Sequence, residues 1–240
     1  MKIALLGYGK MGKEIEKICF EKHYDIVARI DNEADWNTYS KEISLANVAI
    51  EFSTPATAIN NIQKCFALGI PIVVGTTAWH KHAEGLKSEC LKNNNTLIFG
   101  SNFSIGVNLF FYMNEIFANL MNSYPEYQTK MEEIHHTQKL DAPSGTAISL
   151  ANILIEHIDH LKDWKKGASN ENDILGIVSK RIDPTPGTHS ITYSSDVDEL
   201  ELKHTAKSRE GFARGAVFAA EWIKDKKGWF EFKDILFNKS

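Results

Sequence analysis

The sequence predicts an α/β fold in which a parallel sheet, with helices on both faces, is interrupted by an inserted α+β domain and completed by the closing helix. Three observations predict it. Over residues 1–103 short β-rich apolar runs alternate with amphipathic segments, the pattern of a parallel sheet covered by helices. After Phe103 the rhythm changes to a strand-rich one, which marks a second domain. Near the end, Phe212, Ala216, Phe218, Ala219 and Trp222 fall on one face of a helix over residues 211–224 that can cover a sheet.

The elements follow in order. Strands are predicted over residues 2–6, 25–30, 48–52, 71–74 and 96–99, and helices over 11–23, 55–68 and 79–92. Ser53-Thr54-Pro55 offers a capping hydroxyl followed by proline at the first helical position, and Gly69 stands where that helix should stop. Next come a long apolar helix over 105–121, a strand over 129–134, a loop, and a helix over 145–158. Strands over 173–182, 188–194 and 199–204 follow, and Glu199-Leu200-Glu201-Leu202 alternates as a sheet covered on one face does. The expected domains are 1–103 with 207–240, and 104–206 inserted between them.

At 240 residues, 43% hydrophobic and 24% charged, the chain has the composition of a globular protein with a sizeable core. Lys and Arg sum to 27 against 31 Asp and Glu, a net charge of -4, without the basic excess that a nucleic-acid partner requires. Residues 105–121, the most apolar stretch, are broken by Asn108, Asn114, Glu115 and Asn119, so no membrane partner is expected. The first apolar run meets Gly7 too soon for a secretory signal, and the expected location is the cytoplasm. Cys19, Cys65 and Cys90 are odd in number and far apart, and read as buried thiols rather than disulfides or zinc ligands.

Gly7-Tyr8-Gly9-Lys10-Met11-Gly12 is a G-x-G-x-x-G between a predicted strand and a predicted helix. Its glycines suit a tight turn, close approach of backbone to a pyrophosphate, and helix-strand packing, while the helix start offers unpaired N–H groups. Ordinary glycine turns share this pattern. What selects a dinucleotide is Asp31, at the end of the second strand and 19 residues past Gly12, where a carboxylate accepts hydrogen bonds from a ribose. This places a Rossmann-like site at the N-terminus. Asn32 and Glu33 follow with no arginine for a 2′-phosphate, although Arg29 and Lys10 are near, so the cofactor reads as NADH or NADPH with a slight lean to NADH. Gly75-Thr76-Thr77 and Gly100-Ser101-Asn102-Phe103 end the fourth and fifth strands, on the rim where open α/β sheets bind ligands.

Residues 133–147 carry most of the chemistry. His135 and His136, Lys139, and the Ser144-Gly145-Thr146 helix start bring proton carriers, a cation and an anion site within a short stretch. No third ligand follows the two histidines at a recognised spacing and no H-E-x-x-H occurs, so no metal is expected. Taken alone, the two histidines read equally as satisfied strand-end side chains and Ser144 as a plain cap.

Gly7 to Gly12, Gly75-Thr76-Thr77, Asn102-Phe103-Ser104 and, above all, His135-His136-x-x-Lys139-x-Asp141-Ala142-Pro143-Ser144-Gly145-Thr146-Ala147 closely resemble the 4-hydroxy-tetrahydrodipicolinate reductase family, over the whole length and in order. Gly187-Thr188-His189, Thr205 to Arg209 and Gly215-Ala216 extend the resemblance. It implies NAD(P)H-dependent reduction of a small cyclic dicarboxylate in lysine and diaminopimelate biosynthesis, by a homotetramer. It also implies that His135 and Lys139 are catalytic and that His136, Gly145 and Thr146 bind substrate. Gly7, Tyr8, Gly9, Lys10, Met11, Asp31, Gly75, Thr76, Thr77, Gly100, Ser101, Asn102, Phe103 and Arg209 are implied to bind the cofactor. The chain departs from the family pattern in a glycine loop one residue shorter, in Asn32 at a position usually basic, and in Arg181-Ile182-Asp183-Pro184 for Arg-x-Gly-Asp. Two other readings of the residues stay open: another amino-acid or imino-acid dehydrogenase, and a nucleotide sensor without turnover. Hydride transfer between groups on two domains leads us to expect hinges over 102–106 and 206–209.

Overall fold

A computed structural model describes residues 1–237, with His80 described by its backbone alone; residues 238–240 of the expected C-terminal stretch lie outside the described residues. The chain divides into two compact units, Met1–Ile105 with the stretch from Glu210 onward, and Gly106–Arg209.

The first unit contains β1 (Lys2–Leu6), α1 (Lys10–Glu21), β2 (Asp25–Ile30), α2 (Glu33–Thr38), α3 (Ser40–Ile43), β3 (Val48–Glu51), α4 (Pro55–Ala67), β4 (Ile72–Val74), α5 (Ala83–Lys92) and β5 (Thr96–Phe99). The first residue of α6 (Ile105–Met121) ends this stretch, and the rest of that helix belongs to the second unit. That unit continues with β6 (Gln128–His135), α7 (Gly145–His157), β7 (Asp163–Lys166), β8 (Ile174–Arg181), β9 (Gly187–Ser194) and β10 (Glu199–Ala206). The chain then returns to the first unit with α8 (Glu210–Ile223), β11 (Gly228–Glu231) and α9 (Phe232–Phe237).

Sheet order in the first unit is β11-β5-β4-β3-β1-β2, all parallel. Residues 3–6 of β1 are fully buried because alternate side chains feed two cores: Ala4 and Leu6 pack with α4 and α5, Ile3 and Leu5 with α1 and α8. A continuous apolar run is what a strand covered on both faces requires. The chain moves outward from β1 to β2 on one side and to β3, β4 and β5 on the other, so the strand order reverses at β1/β3, where such sheets hold ligands.

In the second unit the order is β10-β9-β6-β8-β7, antiparallel across β10/β9/β6 and parallel across β6/β8/β7. Met131, Leu175, Ile177, Ile191 and Tyr193 form the side of this sheet that packs on α6 and α7. The other side presents Lys130, Glu132, Lys180, Ser190 and Thr192, exposed or half-buried, with Lys180 Nζ 2.5 Å from Glu132. No described helix is long and apolar enough to cross a membrane.

Most predicted elements form within a residue or two of their expected limits. The helix expected to reach residue 23 stops at Glu21, because His23 adopts a left-handed conformation with φ 57°. The helix expected from residue 79 begins with a 3₁₀ turn at His80–His82, since Trp79 is pinned below it by donating its indole N–H to the Thr76 carbonyl at 2.7 Å. Five short elements, α2, α3, β7, β11 and α9, have no counterpart in the sequence pattern. Among them β11 is made by context: Trp229 lies 6.0 Å from Trp79 and 5.5 Å from Phe99, and the segment pairs with β5 at the sheet edge.

Candidate active site

In the first unit the loops after β1, β2, β4 and β5 sit at the carboxyl ends of the strands. Gly7 closes the β1 turn with φ 91°, and a Cβ there would stand 2.3 Å from the Phe52 carbonyl oxygen, so no other residue fits. Gly12 is needed for packing, a Cβ lying 2.3 Å from the Gly7 oxygen. Gly9 differs: a Cβ would meet nothing within 4 Å. It is the N-cap of α1, which has neither a side-chain cap nor an acidic residue in its first turn. The N–H groups of Lys10, Met11 and Gly12 therefore open a positive helix end beside free space, a cradle that fits a pyrophosphate.

Asp31 Oδ1 accepts the Tyr8 N–H at 2.9 Å and so ties the end of β2 to the glycine turn. The Asp35 carboxylate accepts the Asp31 and Asn32 N–H groups at 2.8 and 3.1 Å, while the Asn32 side chain caps α2. Arg29, a possible phosphate ligand by sequence, is committed elsewhere: its Nε donates to Glu16 at 2.7 Å and its guanidinium stacks 5.7 Å from the Tyr8 ring centre. The corner that would receive the ribose is thus lined by Asp31, Glu33 and Asp35.

Gly75 lies against the Phe52 ring, where a Cβ would come within 2.1 Å, and its N–H donates to the Glu51 backbone carbonyl at 2.8 Å. Thr77 and Ser101 are exposed, Thr76 and Asn102 half-buried, and Asn102 Oδ1 accepts the Ser104 N–H at 2.8 Å. Phe103, by contrast, is core: it is 1% exposed, its ring lies 4.6 Å from that of Phe232 and its carbonyl packs against Gly215, so it is a structural residue rather than a ligand contact. Glu51, buried at the end of β3 and not singled out by sequence, accepts the Ser53 N–H at 3.0 Å, and burial pushes its carboxyl up.

In the second unit β6 delivers the chemistry. Glu133 and His135 are two residues apart, so both point to the same buried side of the sheet. Glu133 is fully buried, with Oε2 3.3 Å from His135 Nδ1 and 3.7 Å from His189 Nε2, and Oε1 3.5 Å from Arg181 Nη2. The Ser144 N–H donates to both oxygens at 3.1 Å. The His135 contact is close but not aligned as a full hydrogen bond. Burial favours the neutral acid, yet the donor groups of His135, Ser144 and Ser179 around it outweigh that effect and hold the Glu133 carboxyl well below the usual carboxylate range. His189 shows the opposite balance: burial, then the neighbouring His135 charge, pull its imidazole down to about 4.

Arg181 organises the loop that follows. Its Nε donates to the Lys139 carbonyl at 3.2 Å and Nη2 to the Asp141 carbonyl at 2.6 Å. Thr137 donates from N and Oγ1 to Asp183 at 3.1 and 2.5 Å, which holds that carboxyl below its ordinary range. Lys139 Nζ meets Asp141, and the Ser144 hydroxyl accepts the Ala147 N–H at 3.2 Å, capping α7. Capping leaves the Gly145 and Thr146 N–H groups without intrahelical partners, and a Cβ on Gly145 would touch nothing within 4 Å. Beside the loop, His136, Asp183, Pro184, Thr185, Pro186, Ser208 and Arg209 line a cavity of about 280 Å³. Arg209, expected among nucleotide contacts, shares this cavity with His136.

Glu133, His135 and His189 bring one potential metal-ligand atom each within 4.8 Å of one another. The sequence pattern could not show this, because His189 comes from β9 and Glu133 precedes the histidine pair. The donor set does not fit a cation: both Glu133 oxygens accept from Ser144, and the Arg181 guanidinium already supplies positive charge.

Residues 1–103 match the family model described as dihydrodipicolinate reductase, N-terminus, and residues 106–236 the model for its C-terminus. A 4-hydroxy-tetrahydrodipicolinate reductase from Christiangramia forsetii is 46% identical over 98% of both chains. One from Methanococcoides burtonii is 32% identical over 90% of this chain and 81% of its own. Among solved structures, a dipicolinate-bound dihydrodipicolinate reductase from Paenisporosarcina superposes with TM-score 0.78 at 24% identity, covering 98% of this chain and 99% of the other. An amine dehydrogenase from Mycobacterium smegmatis shares the fold with TM-score 0.60 at 9% identity, over 98% and 95%. With the two family models together matching residues 1–103 and 106–236, and a relative 46% identical over 98% of both chains, the chain belongs to the dihydrodipicolinate reductase family of oxidoreductases.

Proposed function

We propose that this chain uses NADH to reduce 4-hydroxy-tetrahydrodipicolinate, by way of dihydrodipicolinate, to tetrahydrodipicolinate in lysine and diaminopimelate biosynthesis. The observation that carries the reading is the convergence of His135, Lys139 and the open start of α7 around one loop pinned by Glu133 and Arg181.

The substrate is a small cyclic imine with two carboxylates, so donors and cations must surround it. The Gly145 and Thr146 N–H groups hold one carboxylate at the positive end of α7. Lys139 and His136 take up further negative charge, and Arg209 adds a fixed cation to the wall of the cavity that His136 also lines. Drawing electron density from the ring makes it a better hydride acceptor. When bound, the nicotinamide supplies the hydride. Lys139 donates the proton that the reduced ring requires, and His135 acts in proton transfer.

Gly7 to Met11 cradle the pyrophosphate, Asp31 binds the adenosine ribose, and residues 75–77 and 100–102 border the nicotinamide side. The lean to NADH follows from charge: the Asp31 and Asp35 carboxylates repel a 2′-phosphate, Glu33 is paired with Lys64, and Arg29 is engaged by Glu16. Assembly as a homotetramer would cover the polar side of the second sheet and the exposed Leu109, Met113, Ile116 and Leu120 of α6. The three buried free thiols suit the reducing cytoplasm.

A coupled assay tests the reading: substrate is generated from pyruvate and aspartate semialdehyde, and the loss of reduced nicotinamide is followed by absorbance. Turnover that collapses by roughly 100-fold or more in Lys139→Ala, with NADH affinity intact, is expected of a lost proton donor. No oxidation of either nucleotide by the unmodified protein would overturn the enzyme reading in favour of a nucleotide sensor.

A further inference from the structure

We propose that Glu133 is a positioning residue for proton transfer: its buried carboxylate selects the His135 tautomer with hydrogen on Nδ1 and keeps Nε2 as the working atom. The proposal rests on the reading of His135 as a proton-transfer group.

A carboxylate within a protein interior survives only among donors, and Glu133 has them on every side. Arg181 and Ser179 face it from β8, His189 from β9, Ser144 from the start of α7 and His135 from its own strand. His204 and Lys139 complete the charged surroundings through their effect on His189. An ionised carboxylate can only accept hydrogen bonds. A lone pair on the His135 atom that faces it at 3.3 Å, Nδ1, would meet negative charge, whereas a hydrogen there meets an acceptor, which favours the tautomer with the lone pair on Nε2. A Cβ on residue 187 would stand 3.1 Å from Nε2, and residue 187 is a glycine, so no side chain from that position covers the atom. When Nε2 takes up a proton, the imidazolium stands beside a fixed negative charge that is already in place.

The same carboxylate orders the rest of the site. Through the Ser144 N–H it sets the first turn of α7, and through Arg181 it reaches the carbonyls of Lys139 and Asp141. One fully buried side chain thus links His135, the anion site and the lysine loop. A purely structural role for Glu133 would predict loss of fold or of substrate affinity on substitution, with the pH dependence of turnover unchanged.

Two measurements decide. In Glu133→Gln the limb of the kcat/KM profile governed by His135 is expected to move about one unit toward acid, and kcat to fall roughly 10- to 100-fold, as outer-sphere partners of reactive imidazoles do. NADH affinity is expected to stay unchanged. A folded variant whose pH limb does not move would overturn the proposal. Because removal of a buried charge can unfold the chain, the second measurement uses the unmodified protein. Two-bond ¹⁵N–¹H correlations of the histidine rings, assigned with His135→Asn, are expected to report hydrogen on Nδ1 of His135. Hydrogen on Nε2 would overturn the proposal. This tautomer is read in the resting protein, so its outcome is separate from whether the chain turns over dihydrodipicolinate.

Discussion

Lys139 and Asp141 are paired within one loop, with Nζ 2.8 Å from each carboxylate oxygen. Lys139 is thus occupied by an internal carboxylate before any external one arrives. The hydrogen bond from Lys139 holds the Asp141 carboxyl below its ordinary range, so the pair stays formed well into acid. A dianionic substrate must compete with Asp141 for the ammonium. Partly exposed pairs of this kind contribute about 0.2–1 kcal/mol, so Asp141→Asn is expected to lower the KM for substrate about 1.5- to 5-fold at saturating NADH. Steady-state kinetics check it, and a higher KM would show that Asp141 assists binding instead.

Two glycines separate a ligand's demand for space from the fold's. A Cβ on Gly9 touches no protein atom within 4 Å, whereas one on Gly215 would stand 1.6 Å from the Phe103 oxygen. Gly9→Ala is expected to leave Tm nearly unchanged and weaken NADH binding about tenfold, close to 1.4 kcal/mol, through crowding of the pyrophosphate. Gly215→Ala is expected to lose about 1–3 kcal/mol of stability or more. Thermal melts and nucleotide titrations on both variants distinguish the two kinds of glycine.

Asp31 sits between the ribose corner and the glycine turn, accepting the Tyr8 N–H. Hydrogen bonds to a charged acceptor contribute about 1.5–3 kcal/mol, so Asp31→Ala is expected to weaken NADH binding roughly 10- to 100-fold. NADPH should suffer less, because the variant also removes a carboxylate that repels its 2′-phosphate. Fluorescence titration with both nucleotides measures the ratio, and equal losses would contradict the charge argument for NADH preference.

The buried cluster also sets acid stability. His189 is pulled from 6.5 to about 4 by burial, so between those values the unfolded chain binds a proton that the folded chain does not. Stability is then fully present above about pH 6.5 and declines as pH falls toward 4, by up to about 3 kcal/mol. Glu133, depressed below its unfolded value, adds a further loss once pH drops below the ordinary carboxylate range. Urea titrations at stepped pH should show this decline, and His189→Gln should flatten its upper part. An unchanged slope in that variant would assign the loss to other groups.

Much of the molecule was legible in the order of its residues. The apolar runs at 2–6, 25–30 and 96–99 and the helix at 105–121 declared themselves because a segment's own periodicity reports which of its faces will be buried. The glycine turn and the His135 to Ala147 loop were legible because each packs its chemistry into a short, contiguous stretch. Residues 33–43 and 228–237 were not, since α2 rests on a capping exchange between Asn32 and Asp35 and β11 on aromatic packing against Trp79 and Phe99.

What the sequence by itself determined was the α/β pattern with its inserted α+β stretch and a set of candidate groups for the chemistry. Only the tertiary structure decided how those groups are held. Glu133, Arg181 and His189 come from three strands, and nothing in their spacing along the chain shows that they converge. Arg29 looks available for a phosphate until Glu16, a turn away on α1, neutralises it. Local periodicity encodes burial, which each segment carries within itself. The ionisation and orientation of a side chain depend on charges and donors brought close by folding, and those exist only once distant strands have paired.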